Sequence, residues 1–208
     1  DFNNDLRIDV ALVTASTVDI QFSTLREPRR LPARGNRLNH LRAIDYDNDG
    51  WLDLIGWGND GITLWRNRGS AGFHQANADL GLDRLQLGPV LDLATADFDQ
   101  DGDIDLIAAL EAGGLRFLRN DGGNANELLK LRLLGNRSNA SALGVKIELA
   151  SGGWHTIRTV QQLPVEIGVG KRKQLDLVST RWFDTKLDTT EVTPNRQEPL
   201  TIFELVLP

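Results

Sequence analysis

Cysteine is absent from the 208 residues, which excludes disulfides, thiolate metal sites and cysteine nucleophiles. No stretch approaches the roughly 18 consecutive apolar residues of a membrane-crossing helix. The three histidines, His40, His74 and His155, fit neither a zinc-ligand spacing nor a His-Glu-x-x-His pattern. There is no Gly-x-Ser-x-Gly elbow and no phosphate-cradling glycine loop. Lys and Arg are too dispersed for a nucleic-acid footprint, and the densest run, Lys171-Arg172-Lys173, reads as a strand edge or turn. What remains is an ordinary soluble composition, 40% hydrophobic and 25% charged, long enough for one or two domains with their own cores.

Against that background one acidic pattern occurs three times. It runs Asp1-Phe2-Asn3-Asn4-Asp5-Leu6-Arg7-Ile8-Asp9, Asp45-Tyr46-Asp47-Asn48-Asp49-Gly50-Trp51-Leu52-Asp53 and Asp97-Phe98-Asp99-Gln100-Asp101-Gly102-Asp103-Ile104-Asp105. Oxygen-bearing side chains recur at positions one, three, five and nine. Alternating acids on a tightly curled turn converge on one point, which suits a hard cation such as Ca²⁺, with six to eight oxygen ligands at roughly 2.3–2.6 Å. Position six is Gly50 or Gly102, permitting the positive φ of such a curl. Position seven (Arg7, Trp51, Asp103) offers a backbone carbonyl. The candidate metal residues are thus Asp1, Asn3, Asp5, Arg7 and Asp9, then Asp45, Asp47, Asp49, Trp51 and Asp53, then Asp97, Asp99, Asp101, Asp103 and Asp105. Copy one is the weakest, with Asn3 in place of an acid and Leu6 in place of glycine.

A solvated acidic turn is the alternative, since Asp, Asn and Gly are common turn formers. Three copies in one register, each followed by an apolar run, argue against it. The third copy holds five Asp in nine residues, and their mutual repulsion calls for a cation. An EF-hand is excluded, because position twelve is Leu12, Gly56 or Ala108 rather than Glu, and the flanks read as strands. Asp9, Asp53 and Asp105 stand in for that Glu. The three copies carry twelve Asp and one Arg, a charge of −11, so the rest of the chain carries +5 of the net −6. Three Ca²⁺ ions would bring the total to zero, which makes the acidity a metal requirement rather than a general surface property.

The copies start at residues 1, 45 and 97, and this spacing with strand-like content points to propeller blades. Leu41–Ile44 and Leu93–Ala96 lead into the second and third turns. Strands follow at Val10–Val13, Leu54–Trp57 and Leu106–Ala109, and then come Leu64-Trp65-Arg66-Asn67-Arg68-Gly69 and Phe117-Leu118-Arg119-Asn120-Asp121-Gly122. Gly72-Phe73-His74 starts an outer strand of the middle blade. After Gly123 the acidic turns stop. Leu128–Leu133, Val145–Leu149, Thr156–Val160, Gln174–Val178 and Leu200–Val206 read as strands of a second, antiparallel β domain, a small sandwich. The fold class is therefore all-β: propeller blades over 1–123, then a sandwich over 124–208. The chain opens on the first acidic turn without a leading strand or signal peptide, which reads as a fragment or mature piece of a longer secreted precursor. Trp51 offers a ring for packing between blades or for stacking on a sugar. Asn136-Arg137-Ser138 and Asn139-Ala140-Ser141 match the glycosylation sequon.

The first 123 residues resemble the FG-GAP/VCBS repeats of integrin-like β-propellers, through Asp-x-Asp-x-Asp-Gly-x-x-Asp, the following strand and the Asn-x-Gly turn. The tail resembles the ASPIC/UnbV domain through Asn126–Leu131, Gly135–Asn139, Leu143-Gly144-Val145, Gly168-Val169-Gly170 and Val178–Trp182. Phe183-Asp184-Thr185 departs from that family's Pro-Ser-Gly. The resemblance implies a secreted or cell-surface protein with calcium-bearing blades, used for adhesion or recognition. The expected function is a calcium-stabilised extracellular adhesion, recognition or matrix module without catalysis, binding about three Ca²⁺ and a protein or glycan ligand. A periplasmic setting fits equally. The alternatives are a self-associating filament subunit and an accessory domain of a polysaccharide-degrading enzyme. Neither nucleic acid nor a membrane span enters this reading.

Overall fold

A computed structural model describes residues 1–14, 17–33, 37–122, 125–134, 141–182, 190–191 and 203–206. The sequons at 136–141 and the 183–185 departure lie largely or wholly outside these, as do residues 200–202 of the last expected strand. The protein is all-β, with 50% strand and 4% helix. Among the described residues there are five sheets, none closed.

The first acidic turn leads into β1 (Val10–Val13), which pairs with β2 (Thr17–Gln21), which pairs with β3 (Arg29–Pro32). The second turn joins β4 (Leu38–Ile44) to β5 (Asp53–Gly58), followed outward by β6 (Gly61–Asn67) and β7 (Phe73–Gln75). The third joins β8 (Val90–Ala96) to β9 (Asp105–Leu110), followed by β10 (Leu115–Leu118). All these pairs are antiparallel. Each acidic turn therefore has the same place relative to the strand it feeds.

Strand periodicity explains the stacking. Successive side chains of a strand point to opposite faces. In β5, Leu54 faces the core shared with the first sheet (Phe2, Val18, Ile20, Leu31), while Ile55 and Trp57 face the core shared with the third (Val90, Leu93, Leu106, Ala108). In β6, Trp65 goes one way and Leu64 and Ile62 the other. The middle sheet is sandwiched between neighbours, so β5 is buried along its whole length. His40 stacks on Trp57 with centroids 5.2 Å apart, a packing role for that histidine.

Beyond the blades, β11 (Glu127–Leu134) pairs antiparallel with β14 (Val165–Gly170) and parallel with β17 (Phe203–Val206). A second sheet holds β12 (Lys146–Ser151) between β13 (Trp154–Thr159) and β15 (Leu177–Arg181), with β16 (Thr190–Glu191) at its edge. Leu129, Leu131 and Leu133 of β11 and Val165, Ile167 and Val169 of β14 share one core with Ile147, Leu149 and Val178 of the second sheet. Two sheets packed through alternating apolar residues is the arrangement the period-two runs predict. The strands over 17–21, 29–32 and 165–170 were not among the sequence expectations, and β15 starts three residues later than 174.

Candidate metal centre

The three acidic turns share one backbone solution. Position four is left-handed in each, with φ of 54° at Asn4, 56° at Asn48 and 65° at Gln100. Position six is too, with φ of 66° at Leu6, 92° at Gly50 and 97° at Gly102. Leu6 takes this conformation despite its side chain, and glycine relieves the strain in the other copies. The position-one carboxylate accepts the position-six N–H: Leu6 N to Asp1 Oδ2 at 3.0 Å, Gly50 N to Asp45 Oδ2 and Gly102 N to Asp97 Oδ2, both at 3.1 Å. Position five accepts from position seven: Arg7 N to Asp5 Oδ1, Trp51 N to Asp49 Oδ1 and Asp103 N to Asp101 Oδ1, at 3.0, 2.9 and 3.0 Å.

The position-nine carboxylates have a task that spacing alone does not reveal. One oxygen accepts the position-two N–H, from Phe2 (2.7 Å), Tyr46 (3.1 Å) and Phe98 (3.1 Å). The other accepts an N–H from the end of the next strand of the sheet or just past it, from Ser23 (2.9 Å), Asn67 (2.6 Å) and Asn120 (2.8 Å). Asp9, Asp53 and Asp105 thus close each turn onto its own sheet.

Asparagines then lace neighbouring blades together. Asn4 Nδ2 donates to Gly50 O (3.3 Å), and Asn48 Nδ2 to Gly102 O (2.8 Å). In the reverse sense Asn67 Nδ2 donates to Phe2 O (2.7 Å) and Asn120 Nδ2 to Tyr46 O (2.6 Å). The Asn-x-Gly segment reads as a turn from sequence, and Gly69 N and Gly122 N do bond their asparagine Oδ1 atoms. Its recurrence beside the second and third acidic turns was the signal for the second, inter-blade bond. Trp51 packs its ring over the Gly69 turn, where a Cβ would come within 2.8 Å of it.

Two acidic triples emerge. Ligand oxygens of Asp45, Asp47 and Asp49 lie within 4.8 Å of one another, as do those of Asp97, Asp99 and Asp105. The first turn forms no such triple among the described residues, and there Asn3 Nδ2 donates to Asp5 Oδ2 at 3.0 Å. Asn3 and Arg7 are exposed. Asp103 is fully buried, its Oδ1 accepting from Asn48 Nδ2 at 3.2 Å. Cationic side chains approach both triples. Arg66 Nη2 lies 2.5 Å from Asp47 Oδ2 and 3.7 Å from Asp49 Oδ2. Its counterpart Arg119 lies 3.7 Å from Asp99, and Lys130 contacts Asp97.

The residues fit a divalent cation. Asp45 Oδ1, Asp47 Oδ1 and Asp97 Oδ1 are buried without a hydrogen-bond partner, an expensive condition for a carboxylate oxygen unless a cation meets it. Burial pushes the Asp45 carboxyl up to about 7, with Asp49 and Asp47 adding repulsion and Arg158 opposing. Burial likewise pushes Asp47 up to about 6 and Asp53 well above the usual range. A bound Ca²⁺ would restore ionisation and supply ordered oxygen coordination.

The pH response of the cation-free protein follows. Between the ordinary carboxylate value of 3.8 and about 7, folded protein holds a proton on Asp45 that unfolded protein has released. Its stability therefore declines as pH rises through that window, by on the order of 4 kcal/mol from this group. Denaturant melts in chelator from pH 4.5 to 7.5 should show a decline that Asp45→Asn flattens. Equal slopes in the two proteins would refute the assignment.

A family profile locates the pattern: its FG-GAP-like repeat description matches residues 45–108, from the first acid of the second turn to the middle of β9. Residues 45–108 are an FG-GAP-like repeat. The repeat takes in both acidic triples and the two turns with glycine at position six. No curated protein matches the chain. No helix among the described residues is long and apolar enough to cross a membrane.

Proposed function

We propose that the chain is a calcium-stabilised extracellular adhesion, recognition or matrix module with no catalytic step of its own. The observation that supports this most strongly is the set of buried, partnerless oxygens on Asp45 and Asp47 beside a third acid. Asp45, Asp47 and Asp49 would hold one Ca²⁺, and Asp97, Asp99 and Asp105 a second. The carbonyls of Trp51 and Asp103 are further ligands in this reading. Asp1, Asn3, Asp5 and the Arg7 carbonyl would hold a third and weaker ion. Extracellular modules use such loops at dissociation constants of about 10⁻⁴–10⁻³ M. The FG-GAP-like repeat lends adhesion loose support, with a protein or glycan as partner. On this reading the blades are of the FG-GAP/VCBS kind, and the sheets from about residue 124 onward are an ASPIC/UnbV-type domain.

Calorimetric titration of the whole chain with CaCl₂ should give one ion per triple in that affinity range, with Mg²⁺ weaker because it demands stricter octahedral geometry. Retention on immobilised extracellular protein or glycan should vanish in chelator. Absence of binding heat would refute the metal assignment, and retention indifferent to chelation would refute its link to recognition.

A second reading, self-association into filaments, rests on β10. Among the described residues it ends its sheet, with Leu115 73% and Phe117 47% exposed, where β6 of the middle blade is covered by β7. Open apolar edges invite further strand pairing. Size-exclusion chromatography with and without calcium separates the two readings.

A further inference from the structure

The middle acidic turn is covered by the C-terminal sheets. Arg158 of β13 is buried and donates from Nη2 to Gly50 O at 3.1 Å. Gly170 N donates to Asn48 O at 2.8 Å, and Asn126 Nδ2 to Asp47 O at 2.7 Å. Trp154 lies close enough to Gly50 that a Cβ there would meet its ring at 3.0 Å, and Arg172 sits over that ring at 4.3 Å. Thr156 Oγ1 reaches Asn4 of the first turn at 2.9 Å. A cleft of about 390 Å³ between β4, β8 and the C-terminal sheets is walled from both sides, with Asp45, Arg158 and Glu166 among its lining.

The partnerless oxygens set the sign of the consequence. Asp45 Oδ1 and Asp47 Oδ1 are buried without a hydrogen-bond partner, and Gly168 of β14 lies directly against Asp45 and Asn48. Arg66 comes from the same sheet, and Arg158, with Arg172 at the rim, comes from the C-terminal sheets. Seating those sheets on an empty turn therefore keeps water from carboxyl oxygens that nothing else meets, while in a filled turn the cation meets them. We propose that cation occupancy of the Asp45–Asp53 turn and seating of the C-terminal sheets on it are one linked equilibrium, with Arg158, Trp154 and Gly168 as positioning residues. The proposal rests on the metal reading above. Linkage is reciprocal: the cation tightens the seating by the factor by which seating tightens the cation.

Gly168 gives a neutral wedge for testing it. Its φ is outside the left-handed region, so alanine suits β14. An added Cβ, however, would lie 2.4 Å from Asn48 Cα and from Asp45 Oδ2. Full-length wild type, Gly168→Ala and the milder Asn126→Ala are titrated with Ca²⁺, and hydrogen exchange is followed with and without the ion. In the wild type, calcium is expected to protect residues 154–158 and 166–170 as well as 45–53. Gly168→Ala should weaken one calcium site about tenfold and lose the distal protection, and Asn126→Ala should weaken it about threefold. Protection confined to 45–53, or wild-type affinity in both variants, overturns the linkage while leaving the metal reading intact. No calcium binding by the wild type overturns both. Should Gly168→Ala fail to fold, the wild-type exchange pattern and Asn126→Ala decide alone.

Discussion

Chelation is expected to lower the melting temperature by about 10–20 °C. At roughly 10 mM Ca²⁺ and a dissociation constant near 10⁻⁴ M, each occupied site adds about 2.7 kcal/mol. For a chain of this size a kcal/mol moves the midpoint by about 2–4 °C. Two sites acting on the Asp45 and Asp97 turns give the stated drop. Metal binding would here be partly folding free energy, because the turns that would hold the ion also join β4 to β5 and β8 to β9. Calorimetry in excess chelator and in calcium checks it, and coincident melts would remove the ion from the architecture.

The second large effect separates two kinds of aspartate that look alike in sequence. Asp53→Ala is expected to destabilise by about 2–5 kcal/mol in calcium and chelator alike, because the N–H groups of Asn67 and Tyr46 lose their acceptor. Asp47→Ala should cost about 2–3 kcal/mol in calcium, through loss of the ion, and little in chelator. Asp47 Oδ1 has no partner to lose, the lost contact of Oδ2 with the partly exposed Arg66 costs about 1 kcal/mol or less while Arg66 keeps Asp49, and removing the Asp47 charge eases repulsion with Asp49. Urea melts of both variants under both conditions test this. If Asp47→Ala were equally costly without calcium, the acid would be structural in the same sense as Asp53.

The repeat itself was plain in the sequence, since oxygen donors at positions one, three, five and nine cannot recur in one register without imposing a common turn. Position six was also legible, because Gly50 and Gly102 adopt the positive φ that glycine there implies. Position four was not: asparagine tolerates the left-handed region but does not announce it, and Asn4 and Asn48 proved to be cross-links as well. Strand β3, Arg29–Pro32, was hidden because half its residues are charged and all but Leu31 are exposed, as an edge strand's can be. Strand β14 was hidden by Gly168 and Gly170, which read as punctuation. Their lack of side chains serves instead to bring backbone against Asn48 at Gly168 and near Asp49 at Gly170, a requirement set by tertiary approach and invisible in local propensity. Lys171-Arg172-Lys173 forms the turn after β14, and Arg172 has a specific partner in Trp154.

The asparagine lacing has a consequence for how the array comes apart. Each blade lends an amide to its neighbour and borrows a carbonyl in return, so the free energy of the array resides largely in nearest-neighbour junctions. Such a chain of units melts in one sweep while every junction is intact. Severing the Asn67 junction alone would split that sweep into two, with the first blade fraying ahead of the others.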